Sequence, residues 1–250
     1  MKKIILFAVI SMLLLMLSLA YAPACAGTNK FELGFGAGWG SFSLGDINDH
    51  YIDQFARPCA LLENNIDAGL NTAAELGYFL TPSLSLHLGY IYLKGSTDAE
   101  SMLILTDEYG NYIGEWKTKL SLGTSISAPA LRFRYLLLDK DWDIFVSGGG
   151  AWCFGKAVIK ADTYENINAV PTVLKYRLTR SALGYFGTFG LRFRITDRFA
   201  LNTEAGYRHF KTGTLRDADG EDWIIDFDGP NKISLDMSGP YFLSTLSFGF

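Results

Sequence analysis

Beyond Gly27 the chain never strings together the roughly 18 to 20 apolar residues of a membrane-spanning helix. It alternates instead, at a period of two, and that alternation limits its fold more than any other feature. Counting back from the last residue, Phe250, Phe248, Leu246 and Phe242 share one face, while Gly249, Ser247 and Thr245 share the other. In Phe199-Ala-Leu-Asn-Thr-Glu-Ala-Gly-Tyr-Arg208, the positions Phe199, Leu201, Ala205 and Tyr207 oppose Asn202, Glu204, Gly206 and Arg208. Between Leu183 and Ile195, residues Leu183, Tyr185, Phe189, Leu191, Phe193 and Ile195 oppose Gly184, Thr188, Gly190, Arg192 and Arg194. These are strands with one apolar face and one small or polar face.

The single long apolar run lies at the start. Lys2-Lys3 precede Ile4 to Ala20, and the run ends in small residues, which predicts a secretory signal peptide over 1–26 with Ala24-Cys25-Ala26 as the cleavage site. A lipoprotein cut before Cys25 is the alternative. Lys2 and Lys3 leave with the signal, so 20 Lys+Arg stand against 26 Asp+Glu, a net charge of −6 that offers nothing to a nucleic acid. Residues 27–250 read as one domain, all-β.

The alternation predicts eight strands, at about 31–43, 69–81, 84–95, 116–138, 143–160, 174–195, 199–214 and 233–250. Their connections alternate between tight (81–83, 139–142, 196–198) and long (44–68, 96–115, 161–173, 215–232). Short turns at one end and long loops at the other describe an eight-stranded antiparallel up-and-down transmembrane β-barrel, with the turns periplasmic and the loops extracellular. A soluble barrel would also alternate, so the non-apolar face has to separate the two. In the first strand that face is Glu32, Gly34, Gly36, Gly38 and Gly40; in the fifth it includes Ser147, Gly149, Ala151, Cys153 and Gly155. Glycines weaken a strand exposed to water but suit a crowded barrel interior. On the apolar face, Phe31, Trp39, Tyr78, Tyr90, Tyr92, Tyr135, Trp142, Tyr185 and Phe193 gather near strand ends, as interfacial girdles do.

On the terminal Phe250, Phe248 and Leu246, and on the hairpin Leu76-Gly-Tyr-Phe-Leu-Thr-Pro-Ser-Leu-Ser-Leu-His-Leu-Gly-Tyr90 echoed by Leu191-Arg-Phe-Arg-Ile-Thr-Asp-Arg-Phe-Ala-Leu201, the chain resembles the small outer-membrane β-barrel proteins, the group of the OmpA transmembrane domain, OmpX and OmpW. The resemblance implies a bacterial outer-membrane location in contact with lipid and lipopolysaccharide. It also implies that Phe242, Leu246, Phe248 and Phe250 form a terminal signal for the barrel-assembly machinery, and that the last strand closes on the first.

With the apolar face toward lipid, Glu32, Glu75 and Glu204 point inward together with His87, Arg132, Arg134, Arg180, Arg192, Arg194 and Arg208, three acids against six arginines. Buried charges need partners, so these residues read as a lumen charge network that plugs a narrow barrel, and counting from the short turns puts Glu32, Glu75, Glu204, Arg132, Arg192 and Arg194 in its periplasmic half. The glycine-lined first strand leaves volume for a thin water path, and a narrow channel for small or apolar solutes is the alternative. In two places the apolar parity switches, at Ala128-Pro129 and at Gly239-Pro240, and each reads as a β-bulge. Met102-Leu-Ile-Leu105 and Tyr112-Ile113 extend the third and fourth strands beyond the membrane as a hairpin.

No catalytic, metal or cofactor site is expected. The acidic run Asp217-Ala-Asp-Gly-Glu-Asp222 lacks the spacing and distal Glu of a calcium loop. Of the three His, His50 lies in a loop, His87 points inward, and His209 stands at the outer rim, where a lipid A-modifying enzyme would need it together with a Ser and a carboxylate. Cys59 and Cys153 are available to pair in an oxidising envelope, and their spacing does not decide whether they do. The expectation is therefore a monomeric, non-enzymatic barrel that stabilises the envelope or displays loops.

Overall fold

The computed structural model describes residues 30–49, 65–106, 109, 112–137, 142–164, 172–226 and 230–250. The signal segment 1–26 and Cys59 lie outside them. In chain order the strands are β1 (Phe31–Ser41), β2 (Ala68–Phe79), β3 (Leu84–Thr106), β4 (Tyr112–Leu136), β5 (Trp142–Tyr164), β6 (Thr172–Arg194), β7 (Phe199–His209), β8 (Lys211–Thr214), β9 (Ile224–Asp226), β10 (Pro230–Lys232), β11 (Ser234–Asp236) and β12 (Gly239–Gly249). Strands β1 to β7 and β12 form a closed antiparallel barrel in which β12 returns to β1. At the seam Phe250 and Phe31 exchange backbone hydrogen bonds of 2.9 and 3.1 Å, and their rings stack 5.8 Å apart. Around this closed, membrane-level ring no strand edge is left unpaired.

Two tight turns share one chemistry. Thr81 Oγ accepts the Leu84 N–H at 3.0 Å, and Thr196 Oγ accepts those of Arg198 and Phe199 at 3.2 and 3.0 Å. The repeated Thr in "LTPSL" and "ITDRF" is a side-chain-capped turn that sets the register of each hairpin.

The long strands β3 to β6 run about twice the length a bilayer requires. The paired β3–β4 ladder reaches Thr106 and Tyr112, so the hairpin extension read from the sequence is present. Along each of these strands the outward face changes character partway. On β4, Tyr135, Phe133, Leu131 and Pro129 give way to Ser127, Ser125 and Ser121; on β3, Tyr90 and Tyr92 give way to Lys94, Ser96 and Asp98. The apolar band below the change is the lipid-facing zone, and the strands above it stand clear of the membrane.

That change corrects the two expected bulges. The β4–β5 register is continuous across Ala128-Pro129, and the even residues Leu120, Leu122, Ile126, Ala128, Ala130, Arg132 and Arg134 all point inward. At Gly239-Pro240 the β7–β12 register is likewise unshifted, and Ile233, Leu235, Met237, Tyr241 and Leu243 are all buried inside. At neither place does parity slip; the surroundings change, since above the membrane the outside is water and the interior is the apolar side. The register irregularity in this region lies between Ser234 and Asp236, in the β8–β11 ladder. The expected strand 199–214 also divides, because Phe210 N–H bonds the Ser238 hydroxyl at 3.1 Å instead of a ladder carbonyl. Gly239 has φ +152°, and a Cβ there would stand 2.6 Å from the Ser41 carbonyl oxygen, so this crossing of β12 over β1 requires glycine.

Candidate functional site

The interior is built in two layers. In the membrane-level, periplasmic half, β1 supplies Glu32, β2 Glu75, β3 His87, β4 Arg132 and Arg134, β5 Asp143, β6 Arg192 and Arg194, and β7 Glu204. Arg132 and Glu204 form a bidentate pair at 2.9 and 3.0 Å, with the far Glu75 oxygen 3.5 Å from Arg132. Arg134 bridges two strands, donating to Glu75 at 2.7 Å and to Glu32 at 3.2 Å. Arg192 donates to the other Glu32 oxygen, and Arg194 donates to both oxygens of Asp143 at 3.2 and 3.1 Å. Ser85 Oγ lies 2.8 Å from His87 Nε2, and His87 Nδ1 stands 3.7 Å from Glu75. Three of these guanidinium groups have an aromatic face as well: Arg132 over Phe186 at 5.1 Å, Arg134 over Phe145 at 4.8 Å and Arg192 over Phe79 at 5.7 Å. Fork-to-carboxylate pairing in a low dielectric is the arrangement under which buried charge is tolerated.

The network holds four acids against four arginines. Asp143 is the member that sequence reasoning missed. It sits beside the β4–β5 turn, where a charge reads as solvated, but its odd parity with Phe145 and Ser147 carried the signal.

Two arginines expected in the network stand apart from it. Arg208 lies higher, where its guanidinium donates to the backbone carbonyls of Met237 at 3.0 Å and Ser41 at 3.3 Å, between the rings of Phe42 and Tyr241. Arg180 lies higher still, at a surface cavity with Arg177 and Arg216. Parity tells which side of the sheet a residue faces and not its depth, so it grouped all six; the count from the short turns set Arg132, Arg192 and Arg194 in the periplasmic half, and Arg134 joins them there.

Above the charges the barrel is filled by Leu93, Leu120, Leu122, Ile126, Leu178, Phe186, Phe210, Leu215, Leu235 and Met237, with Phe42, Leu44 and Ile47 folding in behind β1. The inward glycines do not leave an open path. A Cβ on Gly40 would meet the Arg208 guanidinium at 2.5 Å, one on Gly77 the His87 ring at 2.5 Å, and one on Gly190 the Phe145 ring at 2.3 Å. The large side chains fill the space that these glycines vacate. The voids beside Asn71 and Arg208, and beside Glu75 and His87, measure about 10 Å³ each, room for one water apiece. A cavity of about 400 Å³ opens at the periplasmic mouth and ends against Glu32, Asp143 and Arg192.

The remaining candidates resolve as structural features. Among the described residues no group of His, Cys, Asp and Glu could hold a metal ion. Asp217 accepts the N–H groups of Asp219 and Glu221 at 3.0 Å each, which shapes the turn. Asp222 pairs with Arg216 at 2.9 Å, and that hydrogen bond holds its carboxyl below the ordinary carboxylate range. The His209 ring lies tilted against Tyr185 with centroids 5.0 Å apart, and its Nδ1 stands 3.2 Å from the Ser238 hydroxyl. That hydroxyl already accepts the Phe210 N–H. Among the described residues Cys153 is a buried, unpaired thiol; its candidate partner Cys59 lies outside them. Of the terminal apolar residues, Phe242 and Leu246 face outward, and Phe248 packs between Phe199 at 5.0 Å and Phe250 at 6.1 Å.

Comparison by sequence with curated proteins finds no match. Among solved structures the chain is similar to OprG from Pseudomonas aeruginosa (10% identity, 89% of this chain and 96% of that one, TM-score 0.46), to Neisserial surface protein A (10%, 89% and 98%, 0.40) and to Outer Membrane Protein W of E. coli (13%, 90% and 100%, 0.34). The profile of the family described as outer membrane protein beta-barrel domain matches residues 12–234. The chain therefore belongs to the outer membrane protein beta-barrel domain family and is a protein of the bacterial outer membrane.

Proposed function

We propose that this protein is a closed, non-enzymatic barrel that serves the envelope as a structural element and a carrier of extracellular strands and loops, and that it does not conduct. The observation that carries this reading is the doubly sealed lumen. An ion-paired layer tied to six strands lies beneath an apolar layer; the voids where the two meet hold about 10 Å³ each, and the 400 Å³ cavity at the periplasmic mouth ends against the ion pairs. A hydrated ion or solute crossing it would have to separate buried ion pairs and then pass through a dry apolar zone, two costs that add. The long β3–β6 sheet rising above the membrane provides the display surface. Efflux of a small dye from phosphatidylcholine vesicles carrying the refolded protein tests the proposal. The expected rate equals that of empty vesicles, and release that scales with protein content would overturn it.

A further inference from the structure

On the outer face of β4, β5 and β6, at the level where the apolar band ends, the pairing register sets side chains in rungs. The upper rung runs Ser125, Lys156, Thr179 and Arg216, each the backbone partner of the next. The rung beneath it is Ser127, Phe154 and Ser181. Arg177 stands one outward step above Thr179. Together they line a cavity of about 550 Å³, closed on one side by Asp217 and Gly220 of the β8–β9 connection. Adjacent strands are about 4.8 Å apart, so Lys156 and Arg216 flank the Thr179 hydroxyl from either side within side-chain reach of one another.

The charge is unbalanced toward the cavity. Lys156, Arg177 and Arg180 have no carboxylate partner among the described residues, and Arg216 is the one cation of the four that has one, Asp222. The one carboxylate lining the cavity, Asp217, accepts two turn N–H groups through one oxygen, so a single negative charge in the lining stands against four cations. Convergent cations and hydroxyls at one point are the chemistry of phosphate recognition. The vertical position adds the second constraint. Phe154, half exposed, together with Trp152 and Leu183 directly beneath, faces acyl chains, so an anion held on the upper rung sits at headgroup height.

We propose that this cavity binds the phosphomonoester headgroup of a lipid in the outer leaflet, with Lys156, Arg177 and Arg216 contacting the phosphate and the acyl chains lying over Phe154 and Leu183. The site is independent of whether the lumen conducts.

The test is native mass spectrometry of the refolded barrel released from nonionic detergent micelles doped with phosphatidic acid or with phosphatidylcholine. The expected result is preferential retention of phosphatidic acid. The double substitution Lys156→Ser, Arg177→Ser should reduce it about tenfold, the effect of removing two exposed ionic contacts of up to about 1 kcal/mol each. Lys211→Ser, which removes an outward cation on the neighbouring β8, should leave retention unchanged, and Lys156→Gln alone provides a milder variant if the double one refolds poorly. Equal retention of the two lipids by the parent, unchanged retention in the Lys156 variants, or an equal loss in Lys211→Ser would each overturn the proposal. Displacement by soluble glycerol phosphate at the same concentration as the lipid would overturn the lipid as the source of the phosphate.

Discussion

Replacing Glu75 by Ala removes one carboxylate from a site where two guanidinium groups depend on it. One oxygen accepts from Arg134 at 2.7 Å, and the other stands 3.5 Å from Arg132. All three side chains are buried. A charge-assisted hydrogen bond contributes about 1.5–3 kcal/mol, and removing one member of a buried ion pair costs about 3–5 kcal/mol. Arg132 keeps its bidentate Glu204 and Arg134 keeps Glu32, so the expected loss lies at the lower end, about 3 kcal/mol. In a water-filled lumen the same change would be screened to about 1 kcal/mol or less. The assay is urea unfolding of the parent and Glu75→Ala in phosphatidylcholine vesicles. Adding Arg134→Met removes the stranded cation as well, while Glu32 retains Arg192, so the double variant should be less destabilised than the two single losses combined. A near-zero loss for Glu75→Ala, or strict additivity in the double variant, would refute the argument that these charges are dry and coupled.

Gly38→Ala should abolish folding, because its Cβ would meet the Phe242 carbonyl oxygen at 1.9 Å, whereas Gly123→Ala, with open space around it, should refold like the parent; heat-modifiable gel mobility of both reads the outcome. Deleting Phe250 removes the last β1–β12 hydrogen bonds and a stacked ring, so folded protein should become scarce in cells while refolding in detergent stays near parental; equal cellular levels would deny the terminal residue a role in assembly. Because Asp222 is held below its ordinary value of 3.8, its pairing with Arg216 stabilises the β8–β9 connection at neutral pH, and that contribution is lost as pH falls below the ordinary value and through the lowered one. The fluorescence difference between the parent and Trp223→Phe should therefore change in that acidic range, and Asp222→Asn should flatten the change. Expression of the protein, or of His209→Ala, should leave the lipid A mass spectrum unaltered; a mass shift that His209→Ala abolishes would make the barrel an enzyme.

Much of this architecture was legible because a closed sheet has few freedoms. Once Phe199, Leu201 and Tyr207 are assigned to lipid, Asn202, Glu204 and Arg208 must point inward, and the capped turns at Thr81 and Thr196 fix which end is short. Depth was the quantity that alternation could not supply. Arg132 and Arg208 share an inward parity, but one meets Glu204 and the other only carbonyl oxygens and rings. The parity switch at Ala128-Pro129 was ambiguous for the same reason, since a slipped register and a strand leaving the membrane write identical patterns. The bulky inward residues beside Gly40, Gly77 and Gly190 would have separated a plug from a pore; His87 and Phe145 are the ladder partners of Gly77 and Gly190 on the adjacent strand, whereas Arg208 reaches Gly40 from a strand that meets β1 only through the closure of the barrel, which neighbours in the chain do not show.

The closed lumen is tested most directly by planar-bilayer recording of the refolded chain at high salt, where any continuous water path would carry ions. The account predicts a flat baseline at all applied voltages, with no steps beyond those of protein-free bilayers. Reproducible single-channel steps of uniform size would contradict it and would mean that the layer joining Glu32, Glu75 and Glu204 to Arg132, Arg134 and Arg192 is hydrated and open.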